Sequence, residues 1–161
     1  MLPALDNRGL LPEGVHAAGM ADLEAMFAMN ALRTHLLSEF RRFLRDHLIR
    51  MGGGLELYMC GSYLTDKVAP GDIDCTIEIP IADVSAHAPL LQLLDDGRSN
   101  AAKGWIWDNY HVDVWPTLTG IPGVPNFLAF FQYVGLKSAA IKSLAQTDKR
   151  GVVRVEQWIL G

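Results

Sequence analysis

A glycine-serine pair and three aspartates are the residues of this chain whose types and spacing suit chemistry. Gly61-Ser62 is followed, nine residues on, by Asp72-Ile73-Asp74. A third acid stands in His111-Val112-Asp113-Val114-Trp115. Glycine at the end of a strand lets the backbone approach a phosphate closely. Backbone N–H groups there, with the Ser62 hydroxyl, can bind the anion. Residues i and i+2 of a strand point the same way. The carboxylates of Asp72 and Asp74 can therefore meet one hard cation that prefers oxygen ligands. Two like charges so close repel unless something neutralises them, and bound Mg²⁺ would do so. A two-metal site holds its ions about 3.5–4 Å apart and steadies both the attacking and the leaving oxygen. Asp113 is poorly suited to a strand interior, so a metal or an attacking hydroxyl should compensate it. It is the candidate general base or third metal ligand. Each part alone has a plain structural reading: a solvated strand face, an ordinary turn, a salt-bridged acid. The fixed distance between the parts is what carries weight.

The elements that must position these residues can be read from the pattern around them. Leu55 to Cys60 forms a short strand leading into Gly61. Tyr63 to Val68 is a short helix or irregular loop, and Pro70-Gly71 breaks it. Asp72, Asp74, Thr76 and Glu78 alternate with Ile73, Cys75, Ile77 and Ile79, the signature of a half-buried strand that Pro80 ends. Tyr110 to Trp115 is another strand, closed by Pro116. Ahead of these, Asp22 N-caps a helix running to about Arg50. Its apolar stripe is Leu32, Leu36, Phe40, Phe43, Leu44 and Leu48, and Gly52-Gly53-Gly54 stops it. Residues 87–95 form a short helix, and Asp96-Gly97 opens a polar loop. Asn126 to about Gln146 is helical with an interruption at Gly135. The tail from Gly151 is strand or helix. Pro3, Pro12 and several glycines make residues 1–20 an extended N-terminal arm.

Bulk composition sets limits on the whole. A chain of 161 residues, half hydrophobic and one-fifth charged, is long enough for one globular domain with a real core. With 14 basic against 18 acidic residues, the net charge of -4 gives no footprint for duplex DNA. Cys60 and Cys75 read as small buried residues of neighbouring strands, since two thiols make neither a disulfide framework nor a zinc site. Asp6 and Arg8 interrupt the first apolar residues, so no signal peptide is expected. No apolar run reaches the ~18 residues of a membrane span. A cytoplasmic protein is the expectation.

Gly61-Ser62, the nine-residue gap, Asp72-Ile73-Asp74 and Val112-Asp113-Val114 resemble the signature of the polymerase-beta superfamily of nucleotidyltransferases, with Leu57 to Met59 as its hydrophobic lead. The wider pattern is similar to a small bacterial subfamily of that group. It pairs Leu11-Pro12-Glu13-Gly14-Val15-His16 with Gly61-Ser62-Tyr63-Leu64-Thr65-Asp66-Lys67. The resemblance implies a single α+β domain over residues 1–161, a small mixed β-sheet backed by helices. It implies Mg²⁺ (two ions) and an NTP, with ATP expected. A nucleoside monophosphate would pass to a hydroxyl and pyrophosphate would leave. Gly61 and Ser62 would hold the triphosphate, Asp72 and Asp74 would bind both metals, and Asp113 would join the second and help activate the acceptor. Phosphoryl transfer needs mostly positioning and charge neutralisation.

Lys67, five residues before Asp72, is a candidate phosphate contact. Thr65 is a weaker candidate. His111 shares the face of Asp113. Lys137, Lys142, Lys149 and Arg150 make a basic C-terminal trend, either a solvated face or a polyanion contact. Little chain remains after Asp113 for the helical domain that grips the acceptor in long members. Small relatives of this economy resemble antitoxin-type nucleotidyltransferases, which modify a protein partner (a toxin-like one), homodimers among them. The alternative is a non-catalytic nucleotide- or partner-binding module of that type.

Overall fold

The computed structural model describes residues 1–51, 55–95 and 104–158. Five strands form one mixed sheet: β1 (Gly14–Ala18), β2 (Glu56–Cys60), β3 (Ile73–Pro80), β4 (Val112–Thr119) and β5 (Gly151–Val155), in the order β1-β5-β2-β3-β4. The pairs β1–β5 and β3–β4 are parallel, and β2 is antiparallel to both of its neighbours. The helices are α1 (Met20–Phe27), α2 (Ala31–Phe43), α3 (Ala88–Asp95), α4 (Gly104–Tyr110), α5 (Phe127–Phe131) and α6 (Leu136–Lys142). The fold is α+β, as expected.

Alternation along the strands sorts their side chains onto two faces. Leu57, Met59, Ile73, Cys75, Ile77, Ile79, Val112 and Val114 face the main core, where Leu36, Leu37, Phe40 and Phe43 of α2 meet them. The other face carries a smaller apolar cluster, in which Phe131 of α5 packs on Tyr58, Cys60 and Val152. The polar face expected for β3 is only partly open to water: Asp74 and Glu78 are half-buried, and the cluster covers Thr76 between them. Thr76 is fully buried and donates to the Trp115 carbonyl at 2.7 Å. Cys60 and Cys75 lie buried in the adjacent strands β2 and β3 and are not joined in a disulfide.

Several elements depart from the sequence expectation. The long helix from Asp22 to Arg50 breaks after Phe27, because Asn30 caps a new helix by accepting from the Arg33 N–H at 3.0 Å. It ends through a π turn over Leu44–Leu48 and a 3-10 turn over Ile49–Met51. Of its expected apolar stripe, Leu32 is exposed, and Leu37 takes its place in the core. Asp22 is not the N-cap of α1. That position is Gly19, and the Asp22 carboxylate accepts from the Gly19 N–H at 3.3 Å. The arm of residues 1–20 is extended but anchored: it buries Leu10 and Leu11 and supplies β1 to the sheet. Pro116 does not close β4, which runs on to Thr119. β4 pairs on one side only, and an edge strand tolerates a residue without an N–H. The tail from Gly151 is strand, inserted between β1 and β2. Gly52-Gly53-Gly54 and Asp96-Gly97 lie outside the described residues.

Candidate metal centre and cleft

Strand pairing builds the acidic cluster. Asp74 and Asp113 are direct neighbours in the parallel β3–β4 ladder, so their side chains share one face. Asp72 immediately precedes β3, and the Ile73 N–H is held by the His111 carbonyl at 3.0 Å. One carboxylate oxygen each from Asp72, Asp74 and Asp113 falls within 4.8 Å of the others. Asp72 and Asp113 are buried and Asp74 half-buried. Three converging carboxylates with oxygen donors only suit a hard divalent cation, which takes oxygen ligands and offsets their repulsion. The cluster can bind a metal ion. Asp72 is further oriented by the indole of Trp107, whose Nε1 donates to Asp72 Oδ2 at 3.0 Å.

The glycine of the Gly-Ser pair is required by the acid beside it. Gly61 has φ +77°, and a Cβ there would lie 1.8 Å from Asp74 Oδ2. The carboxylate occupies the space a side chain would need. Gly61–Leu64 then winds a 3-10 turn. Thr65 Oγ1 donates to the Ser62 carbonyl at 2.8 Å and accepts from the Lys67 N–H at 3.2 Å, tying the loop to itself. Beneath it lies Arg33, fully buried. Its Nε donates to the Phe27 carbonyl at 2.6 Å and its Nη1 to the Lys67 carbonyl at 2.5 Å, while Nη2 donates to the Tyr63 carbonyl. The guanidinium also stacks 4.6 Å from the Tyr63 ring centre. Tyr63 returns a bond from its hydroxyl to the Arg33 carbonyl at 3.0 Å, and burial pushes that phenol up to about 12.

Gly61, Ser62, Lys67, Asp72 and Asp74 line one cleft of about 460 Å³. Asp113 stands beside Asp74 and outside that lining. Trp107, Lys137 and Arg150 contribute to the same walls. The basic C-terminal trend therefore divides. Lys142 is bonded to the Asp66 carboxylate at 2.5 Å and Lys149 to Glu13 at 3.0 Å, while Lys137 and Arg150 face the cleft. Burial lowers the Arg150 pKa, and the nearby Asp74 and Cys60 oppose that shift. Burial, with Asp74 beside it, pushes the Cys60 thiol up, so that sulfur is no nucleophile. His111 sits at φ 53° where α4 turns into β4, with its ring edge-on to Trp107 at 5.5 Å; it is not on the cleft wall.

The Leu11–His16 segment sets the start of β5. The Gly151 N–H donates to the Leu11 carbonyl at 2.8 Å, and His16 Nε2 bonds the Pro12 carbonyl at 2.8 Å. A Cβ on Gly151 would meet that Pro12 carbonyl at 2.3 Å. This packing fixes the residue next to Arg150. Arg33, Trp107 and Arg150 had no individual place in the sequence reading. Arg33 did carry a signal, because it falls in register with Leu36, Leu37 and Phe40 on the buried stripe of α2. Arg150 was visible only within the basic C-terminal trend, and Trp107 carried no signal beyond its residue type.

Among the described residues, no helix is long and apolar enough to cross a membrane. Compared with known proteins, the chain matches no curated protein and no solved structure. Residues 3–156 match the family model described as "Family of unknown function (DUF6932)", and the chain belongs to that family.

Proposed function

We propose that this chain is a Mg²⁺-dependent nucleotidyltransferase of polymerase-beta-like fold, moving a nucleoside monophosphate from an NTP to a hydroxyl of a protein or small-molecule acceptor. The observation that carries the reading is the convergence of Asp72, Asp74 and Asp113 within 4.8 Å, beside a glycine whose side-chain space one of them fills. Asp72, Asp74 and Asp113 would hold the divalent ions. When bound, such ions neutralise phosphate oxygens and favour the ionised form of an attacking hydroxyl.

The chain's own residues account for the remaining requirements. The Gly61-Ser62 backbone and the Ser62 hydroxyl offer donors to phosphate oxygens, and Lys67 adds a positive charge on the cleft wall. Arg33 and Thr65 hold that loop in one geometry by bonding its carbonyls. Trp107 keeps the Asp72 carboxylate from rotating. In the transfer, the acceptor oxygen bonds to the α-phosphorus and the bond to the bridging oxygen of the β-phosphate breaks. Pyrophosphate leaves with that electron pair. The hydroxyl proton passes to a carboxylate, and Asp113 is the residue assigned to receive it.

The test is transfer of label from α-labelled NTPs to a lysate in Mg²⁺, compared with an Asp72→Asn/Asp74→Asn double variant. Label and pyrophosphate that depend on both aspartates are the expected result. Nucleotide binding that stabilises the fold without pyrophosphate release would replace this reading with a non-catalytic binding module.

A further inference from the structure

Arg150 is only 7 % exposed, yet it lines the cleft. Its Nε is engaged, donating to the Phe131 carbonyl at 3.0 Å. Among the described residues, no acceptor meets its two terminal nitrogens. A guanidinium offers five N–H donors in a rigid fork that matches phosphate geometry. Neither terminal nitrogen is sealed away from solvent, so the unspent donors open onto the cleft, where an anion can meet them.

The sheet shows where that anion would lie. β2 pairs with β5 through Tyr58 with Arg154 and Met59 with Val153. β2 ends at Cys60 and β5 begins at Gly151, so the Gly61-Ser62 turn and Arg150 leave neighbouring strands at the same end of the sheet, and both line the cleft. On the other side of β2, Cys60 pairs with Asp74, and Asp74 pairs with Asp113. Across this end of the sheet the sequence is thus cation, glycine-serine turn, then carboxylates. Two strand spacings, about 10 Å, separate the β5 position from the β3 position. One phosphate does not cover that distance, whereas a chain of three, met by the Arg150 side chain, does. Lys67 and Lys137 are further, exposed cations on the same cleft.

We propose that Arg150 makes the cleft selective for phosphate number: its fork takes the phosphate group farthest from the aspartates, so a triphosphate is held at both ends and shorter anions at one. This rests on the polyphosphate part of the function proposed above, and it assigns Arg150 as a specificity-determining residue.

Calorimetric titration with inorganic tripolyphosphate, pyrophosphate and orthophosphate at fixed free Mg²⁺ tests the assignment. The wild type should bind tripolyphosphate most tightly. Arg150→Met should weaken tripolyphosphate about 10- to 100-fold, the worth of hydrogen bonds to a charged group, and leave it no tighter than pyrophosphate. Arg150→Lys, which keeps the charge without the fork, carries the test if the Met variant does not fold, and should also lose most of the preference. A wild type that does not prefer tripolyphosphate, or variants that keep the preference, overturns the inference. The two proposals fail separately. Arg150-dependent tripolyphosphate binding without nucleotide transfer removes the catalytic reading alone, and transfer with the preference intact in the variants removes this one alone.

Discussion

Two buried arginines among the described residues, Arg33 under a loop of the cleft and Arg150 on its wall, are used in opposite ways. Arg33 lies under the Tyr63–Lys67 loop and spends its donors on three carbonyls, those of Phe27, Tyr63 and Lys67. Arg150 spends one nitrogen on Phe131 and turns the rest to the cleft. Burial of a cation does not by itself indicate function. The count of donors satisfied by the protein separates a structural guanidinium from one that awaits a ligand. Arg33 is a substitute for regular secondary structure: the loop after Gly61 has few ladder bonds of its own, and the guanidinium supplies them.

That contrast predicts the largest effect. Arg33→Met strands three carbonyls that the fold buries or half-buries, and an unpaired buried polar group costs about 1–3 kcal/mol. The variant should lose at least ~3 kcal/mol in urea unfolding. Arg33→Lys should recover little, since one ammonium cannot reach three acceptors in a fork. Arg150→Met should cost less than half as much without ligand, because it leaves one carbonyl unpaired instead of three. Equal losses at both positions would erase the distinction.

Gly61→Ala tests the other side of the turn. The added methyl would fall 1.8 Å from Asp74 Oδ2 at a backbone φ of +77°. Either the carboxylate moves or the loop does. A cost of about 1–3 kcal/mol is expected from the conformation. The sharper readout is stabilisation by divalent cation: a thermal shift in Mg²⁺ or Mn²⁺ seen in the wild type should vanish in Gly61→Ala and persist in Ser62→Ala. Persistence in both would mean that the carboxylate cluster binds no ion through Asp74.

These residues also mark how far the sequence could be read. Asp72, Asp74 and Gly61 belong to a local pattern, in which strand alternation and a nine-residue gap nearly dictate their proximity. Asp113 needed one further assumption, that its strand pairs in parallel with β3, and the register Asp74–Asp113 meets it. Arg150 was visible only as part of a basic trend. Its position depends on β5 entering the sheet between β1 and β2, two long-range pairings that no local periodicity encodes. Lys142 and Lys149, of the same trend, are bonded to Asp66 and Glu13. The break between α1 and α2 was hidden for a different reason: Ala28-Met29-Asn30 contains no glycine or proline, and a single Asn cap outweighed a continuous helical pattern. The edge position of β4 likewise decided that Pro116 need not end it.

Trp107→Phe is expected to act through Asp72. It removes the Nε1–H donor at 3.0 Å and keeps the ring packing against His111. A partner that orients a metal ligand is commonly worth about 10- to 100-fold in metal affinity or activity. A tenfold weaker Mn²⁺ titration with less than ~1.5 kcal/mol lost in stability would fit a positioning role. Unchanged affinity would make Trp107 a packing residue, and the orientation of Asp72 would rest on its neighbours in the cluster.

The smallest effect comes from a charge at the far end of β3. Glu78 is half-buried and directly opposite Glu56 in the antiparallel β2–β3 pair. Burial first, and Glu56 second, raise its pKa above 4.5. The folded protein then holds this proton to higher pH than the unfolded chain does. Stability therefore falls as pH rises through the window above 4.5. Below that window the carboxyl is protonated in both states and the penalty is absent. Glu78→Gln should stabilise the protein by about 0.5 kcal/mol at pH 7, the usual scale for like charges opposed across strands. It should have no effect at pH 4. Paired urea melts at the two values decide it. A gain equal at both would mean the amide simply packs better. A loss at pH 7 would mean that this carboxylate, unlike the Arg150 fork, already has its partner within the fold.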